Sequence, residues 1–94
     1  MMSRYFIEVT YRGTNYAGFQ KQENAHTVQA EVEAALARIL RTGFQLTGSS
    51  RTDAGVHALQ NYFHFDTELD LQAKLVYNLN AVLPGDLAVN RLIR

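Results

Sequence analysis

Cysteine is absent from the 94 residues, which excludes disulfide bridges and thiolate metal sites. Net charge is absent as well: nine basic and nine acidic side chains cancel, and the pI lies near 6.8. Nonspecific affinity for phosphates comes from clustered Lys and Arg, so this balance argues against a domain that binds nucleic acid unaided. No apolar run approaches membrane-spanning length, and Met1-Met2-Ser3-Arg4 leads straight into a strand pattern without the apolar core of a signal peptide. A cytoplasmic address and no membrane partner are therefore expected. Proline occurs once, at Pro84, and there are no heptads, internal repeats or low-complexity tracts.

What is present describes one domain. With 47% hydrophobic and 19% charged residues the chain reads as globular, since disordered chains are poorer in apolar side chains. A chain of this length buries about 60–65% of the surface it exposes when unfolded, enough for a single modest core.

Arg4 to Tyr11 alternates, with Tyr5, Ile7, Val9 and Tyr11 on one side and Phe6, Glu8 and Thr10 on the other, the period of a half-buried strand. From Arg12 to His26 that pattern gives way to glycine, asparagine and polar neighbours, and so long a connector in a compact domain is usually functional or disordered. Thr27 can cap a helix whose apolar positions Val28, Val32, Ala35, Leu36, Ile39 and Leu40 recur at helical spacing, with Gly43 just beyond its end as a C-cap. Phe44 to Thr47 reads as a short strand, and Leu59 to Phe65 as a longer one in which Leu59, Asn61, Phe63 and Phe65 oppose Gln60, Tyr62 and His64. Asp70 can cap a second helix carrying Leu71, Leu75, Val76 and Leu79, which must stop before Pro84-Gly85, and Leu87 to Leu92 is a last strand. The order βαββαβ predicts an α+β, ferredoxin-like antiparallel sheet with both helices on one face.

Between the two middle strands lies Ser49-Ser50-Arg51-Thr52-Asp53-Ala54-Gly55-Val56-His57-Ala58. A cation, a carboxylate, an imidazole, small hydroxyls and a glycine are packed together with almost no bulk, a mixture that a plain connector does not need. Taken alone, Thr-Asp-Ala-Gly also fits an Asx-type turn between strands. The three histidines, His26, His57 and His64, show no metal-ligand spacing, so no metal site is expected.

Arg51-Thr52-Asp53-Ala54-Gly55-Val56-His57-Ala58 resembles the active-site motif of the TruA-type tRNA pseudouridine synthases. Tyr11-Arg12-Gly13-Thr14-Asn15-Tyr16-Ala17-Gly18-Phe19-Gln20-Lys21-Gln22 is similar to that family's N-terminal signature, and Val28-Gln29 and Leu83-Pro84-Gly85-Asp86 fit its later spacing. Arg12 stands where the family commonly has an acidic residue, Phe19 where it has tryptophan, and Ser50 where it has glycine.

The resemblance implies a cofactor-free isomerase that converts uridine to pseudouridine in the anticodon stem-loop of tRNA, working as a homodimer whose cleft draws on both subunits. By matching position Asp53 is its catalytic carboxylate. Arg51 reaches toward phosphate or fills the space of an extruded base, against the alternative of a solvated surface arginine. Gly55 permits close RNA approach or simply a turn. Thr52 and His57 complete the RNA-facing stretch; for His57, a strand-start histidine bonded to the motif loop is the better reading than general acid–base catalysis.

In the N-terminal signature Tyr16 can stack on RNA, while Gln20, Lys21 and Gln22 can meet phosphates or bases. The competing role is an aromatic pair anchoring a long loop, which suits Phe19 better than Tyr16. The resemblance further implies that residues 1–94 are the N-terminal domain of a longer chain. An aromatic residue that stacks on the target uracil and a basic residue that pairs with the catalytic carboxylate then lie outside it, leaving the fragment alone inactive. Two other classes compete: a noncatalytic module displaying sheet aromatics to single-stranded RNA, and a small-molecule-sensing or assembly domain of the same fold.

Overall fold

The structure, a computed structural model, describes residues 1–19, 26–48 and 58–94, Ala58 and Leu59 by their backbone alone. Its elements are β1 (Ser3–Tyr11), a 3₁₀ turn (Gly13–Asn15), α1 (Val28–Leu40), β2 (Thr47–Gly48), β3 (Ala58–Thr67), α2 (Lys74–Val82) and β4 (Leu87–Ile93). The strands form one antiparallel sheet in the order β2-β3-β1-β4. This is the ferredoxin-like α+β arrangement that the order of elements predicts.

The alternation of β1 is realised in the core. Tyr5, Ile7, Val9 and Tyr11 are buried on one side of the strand, and β3 adds Phe63 and Phe65 to the same layer. Val28, Val32 and Leu36 of α1 and Leu75 and Leu79 of α2 close over it. Burying side chains of this size contributes about 1.5–3 kcal/mol each, which makes this layer the main source of stability. Thr27 caps α1 as expected, its hydroxyl accepting a hydrogen bond from the Ala30 N–H at 3.2 Å.

Several boundaries depart from the sequence pattern for identifiable reasons. The second strand is displaced from Phe44–Thr47 to Thr47–Gly48. Leu46 does not need a strand partner, because its N–H donates to Glu33 Oε2 at 2.9 Å and its C=O accepts from Gln29 Nε2 at 2.7 Å. Helix α2 starts at Lys74 behind an Ala73 N-cap, not at an Asp70 cap. The Tyr5 hydroxyl holds the preceding segment, accepting from the Leu71 N–H at 3.1 Å and donating to the Leu69 C=O at 3.3 Å, and this keeps residues 69–71 out of the helix. The helix ends as expected: Leu83 is extended before Pro84. Helix α1 terminates through Arg41, whose φ of 58° is left-handed, and not through Gly43.

A bulge in β4 is invisible in the alternation. Val9 pairs with Val89 and Glu8 with Arg91, so Asn90 is the extra residue. Val89 is buried and Leu92 packs against the same core, while Asn90 and Arg91 are exposed. Asn80 of α2 binds the adjacent backbone twice, donating to the Val89 C=O at 2.9 Å and accepting from its N–H at 2.8 Å.

A left-handed backbone costs a residue with a Cβ about 1–2 kcal/mol, and glycine escapes that cost at the expense of greater freedom when unfolded. Arg41→Gly is therefore expected to stabilise the fold by about 0.5–1 kcal/mol. Thermal unfolding checks it; a lowered midpoint would mean that the Arg41 side chain contributes more than its backbone costs.

Candidate functional site

Tyr11, the last residue of β1, pairs with Ala58 on one side and with Leu87 on the other. Strand direction therefore brings three chain segments to one end of the sheet: residues leaving β1 at Arg12, residues entering β3 at Ala58, and residues entering β4 at Leu87. These segments carry the N-terminal signature, the Asp53 motif and Leu83-Pro84-Gly85-Asp86.

Asp86 joins two of them. Its carboxylate accepts from the Tyr16 hydroxyl at 2.7 Å and from Asn15 Nδ2 at 3.1 Å, and its C=O accepts from the Arg12 N–H at 2.9 Å. The Tyr16 and Asn15 hydrogen bonds hold the Asp86 carboxyl below its ordinary range, Tyr16 contributing most. Burial first, and then the Asp86 carboxylate, push the Tyr16 phenol far up, so phenol and carboxylate stay a neutral donor and an anionic acceptor. The turn closes through the Leu87 N–H on the Pro84 C=O at 3.2 Å.

The far side of the signature is tied to α1. The Ala17 N–H donates to the His26 C=O at 2.7 Å. The first N–H groups of the helix, Val28 and Gln29, donate to the Gly18 and Phe19 C=O groups at 3.2 and 2.9 Å, which satisfies donors that a helix start leaves open. Phe19 is fully buried and stacks on Phe63 at 4.1 Å between centroids and on Tyr11 at 5.8 Å. It is a core aromatic and the anchor of this loop.

Gln29 and Glu33 act at the other approach to the motif. Both are buried in α1, Gln29 Nε2 also donating to Glu33 Oε2 at 2.8 Å, and together they hold Leu46, three residues before Ser49. The family-like spacing of Val28-Gln29 thus has a local physical content: one residue fills the core and the next fixes the chain that leads to the motif.

On the sheet face away from the helices, Glu8 is almost completely covered. Its carboxylate accepts hydrogen bonds from the Tyr62 hydroxyl, Gln60 Nε2 (2.8 Å), Arg91 Nε (3.2 Å) and Asn90 Nδ2 (3.3 Å). The Tyr62 bond outweighs the opposing effect of burial, and with the other donors it holds Glu8 down to about 2 from an ordinary 4.5. The β4 bulge is what aims both Asn90 and Arg91 at this group. Nothing in the period of β1 distinguishes Glu8 from a solvated strand glutamate, so only the assembled sheet reveals the cluster.

Of the residues expected to touch RNA, Tyr16 is described. It is buried, its ring lies 4.9 Å from that of His26, and its hydroxyl is held by Asp86, so in this arrangement it serves as an anchor and does not present a free stacking face. Gln20, Lys21, Gln22, Arg51, Thr52, Asp53, Gly55 and His57 lie outside the described residues. Among the described residues there is no cluster of three or more His, Asp or Glu side chains able to hold a metal ion, and no helix is long and apolar enough to cross a membrane.

The family described as tRNA pseudouridine synthase matches residues 7–91 of this chain. Among similar curated proteins are the proteins named tRNA pseudouridine synthase A of Staphylococcus aureus strains MRSA252, Newman and JH1, each 45% identical over 91 residues. The match covers 96% of this chain and 34% of each relative, so the chain spans about a third of the length of the curated relatives it matches.

The Glu8 cluster carries a pH signature. A carboxyl held below its unfolded value contributes stability that is complete above about pH 4.5 and is lost as the pH falls toward 2. Glu8→Gln should lower the melting temperature near neutral pH, and the gap between parent and variant should narrow steadily between pH 5 and 2. A gap that stays constant over that interval would show that the Glu8 charge does not contribute.

Proposed function

Because the chain belongs to the tRNA pseudouridine synthase family, we propose that it carries the catalytic carboxylate, Asp53, of an isomerase that converts uridine to pseudouridine in the anticodon stem-loop of tRNA. The supporting observation is the convergence of its three family-like segments at one end of the sheet, where Tyr11 pairs with both Ala58 and Leu87.

The reaction breaks the bond between ribose C1′ and uracil N1, turns the base and joins C1′ to C5; the proton lost from C5 is balanced by one gained at N1. No electrons leave the substrate, so no redox cofactor is called for. A carboxylate against the nucleotide is what the chemistry needs, and aspartate with a reference pKa of about 3.9 is ionised at neutral pH. Arg51, with Thr52, Gly55 and His57 beside it, then meets the RNA around the reacting nucleotide, a planar guanidinium being suited to stack where an extruded base has left. Gln20, Lys21 and Gln22 supply further backbone or base contacts.

The zero net charge of the chain fits this reading only if basic surface comes from elsewhere. We take it from the remainder of a polypeptide as long as the relatives and from a second subunit of a cytoplasmic homodimer. The same remainder supplies the aromatic and basic groups that complete the pocket, so residues 1–94 form its N-terminal domain and are inactive alone. The alternative, a noncatalytic RNA-binding sheet, draws on Phe6, Tyr62 and His64, which stand on the face away from the helices, Phe6 with its ring 5.5 Å from His64. Their neighbour Glu8 occupies the Tyr62 hydroxyl, which leaves that face poorer in free donors than such a platform would use.

Asp53→Asn preserves shape while removing the carboxylate. With full-length protein and tRNA tritiated at uracil C5, the parent should release tritium and the folded variant should not. Equal release would reject Asp53 as essential. Binding without release by either protein would favour the noncatalytic module.

A further inference from the structure

We infer that Asp86 and Tyr16 are positioning residues for tRNA, acting through the backbone of residues 12–19 and not by contact with the substrate; the inference rests on the synthase reading given above. Asp86 holds this segment at both of its early points, Arg12 through the backbone and Asn15 and Tyr16 through side chains. Tyr16 in turn lies against His26, whose Nε2 is 2.8 Å from Glu31 Oε1 in the first turn of α1. Asp86, at the entry to β4, thereby connects the β1 exit, through its backbone C=O, to the segment that leads to α1, through its carboxylate.

Burial alone does not account for this arrangement. Phe19 already anchors the segment by stacking on Phe63, and a phenylalanine at position 16 would fill the same apolar space without any donor. What the hydroxyl and carboxylate add is direction: an O–H donating to a charged acceptor has a narrow geometry and is stronger than a neutral pair. It sets the angle at which the signature leaves the sheet relative to β4. Leu87, the next residue, pairs with Tyr11, which pairs with Ala58 at the end of the Asp53 motif, so an error in that angle falls where substrate must fit. Small misplacements of binding groups reduce catalysis out of proportion to their effect on stability.

The test uses full-length protein carrying Tyr16→Phe, Asp86→Ala, Asp86→Asn or the Tyr16→Phe/Asp86→Ala pair. Tyr16→Phe and Asp86→Ala should each raise KM for tRNA by about tenfold with kcat changed by less than about twofold, and the pair should lose no more than the worse single variant. Asp86→Asn keeps an acceptor for the Tyr16 hydroxyl but loses the charge and the second acceptor oxygen, so it should restore part of the loss. Additive losses, an unchanged KM, or a defect that disappears when assays are run far below each melting temperature would overturn the inference. If the parent itself releases no tritium from C5-labelled tRNA, the synthase reading fails. The same variants are then compared by filter binding to a tRNA transcript, where equal affinities would overturn the positioning role as well.

Discussion

The two-sided pairing of β1 is the constraint on which the rest of the structure depends. A central strand bonded to β3 and β4 at once fixes which residues of all three are neighbours, and antiparallel direction then decides which connections share an end. Because side chains alternate, a one-residue slip would move Tyr5, Ile7, Val9 and Tyr11 out of the core, so the register is strongly specified. The β4 bulge is placed within that constraint. It lets β4 keep Val89 and Leu92 on the core side while presenting Asn90 and Arg91 to Glu8.

Within this apolar frame the finer placements are made by carboxylates. Glu33 takes the backbone of Leu46 before the motif, Asp86 takes the signature, and Glu8 gathers Tyr62, Gln60, Asn90 and Arg91. Each accepts several donors, which is how an acidic group is accommodated in or near a core. The same pairing bears on the neutral composition. Arg4 meets Asp66, Arg91 meets Glu8 and Arg94 meets Asp70, so these cations are engaged within the fold.

Family membership and geometry support each other at the sheet end. The match over residues 7–91 spans the signature, the motif and the Pro84 turn, and the fold brings the attachment points of all three together. Separate stretches of sequence that are distant along the chain thus acquire a common location.

The sequence by itself determined the elements whose causes are local. The period of two in β1 and β3, the helical spacing from Val28 to Leu40, the Thr27 cap and the stop before Pro84 all follow from neighbours along the chain, as does the mixture of chemical groups around Asp53. Tertiary structure decided what depends on partners distant in sequence. Phe44–Thr47 has strand character, yet Gln29 and Glu33 engage Leu46 first; Asp70 has cap character, yet Tyr5 holds the chain beside it. Tyr16 reads as an RNA-facing aromatic until Asp86, 70 residues away, claims its hydroxyl. Apolar periodicity is written into each segment because burial is indifferent to which apolar neighbour provides it. Hydrogen bonds are directional and choose among competing partners, and that choice exists only once the chain has folded.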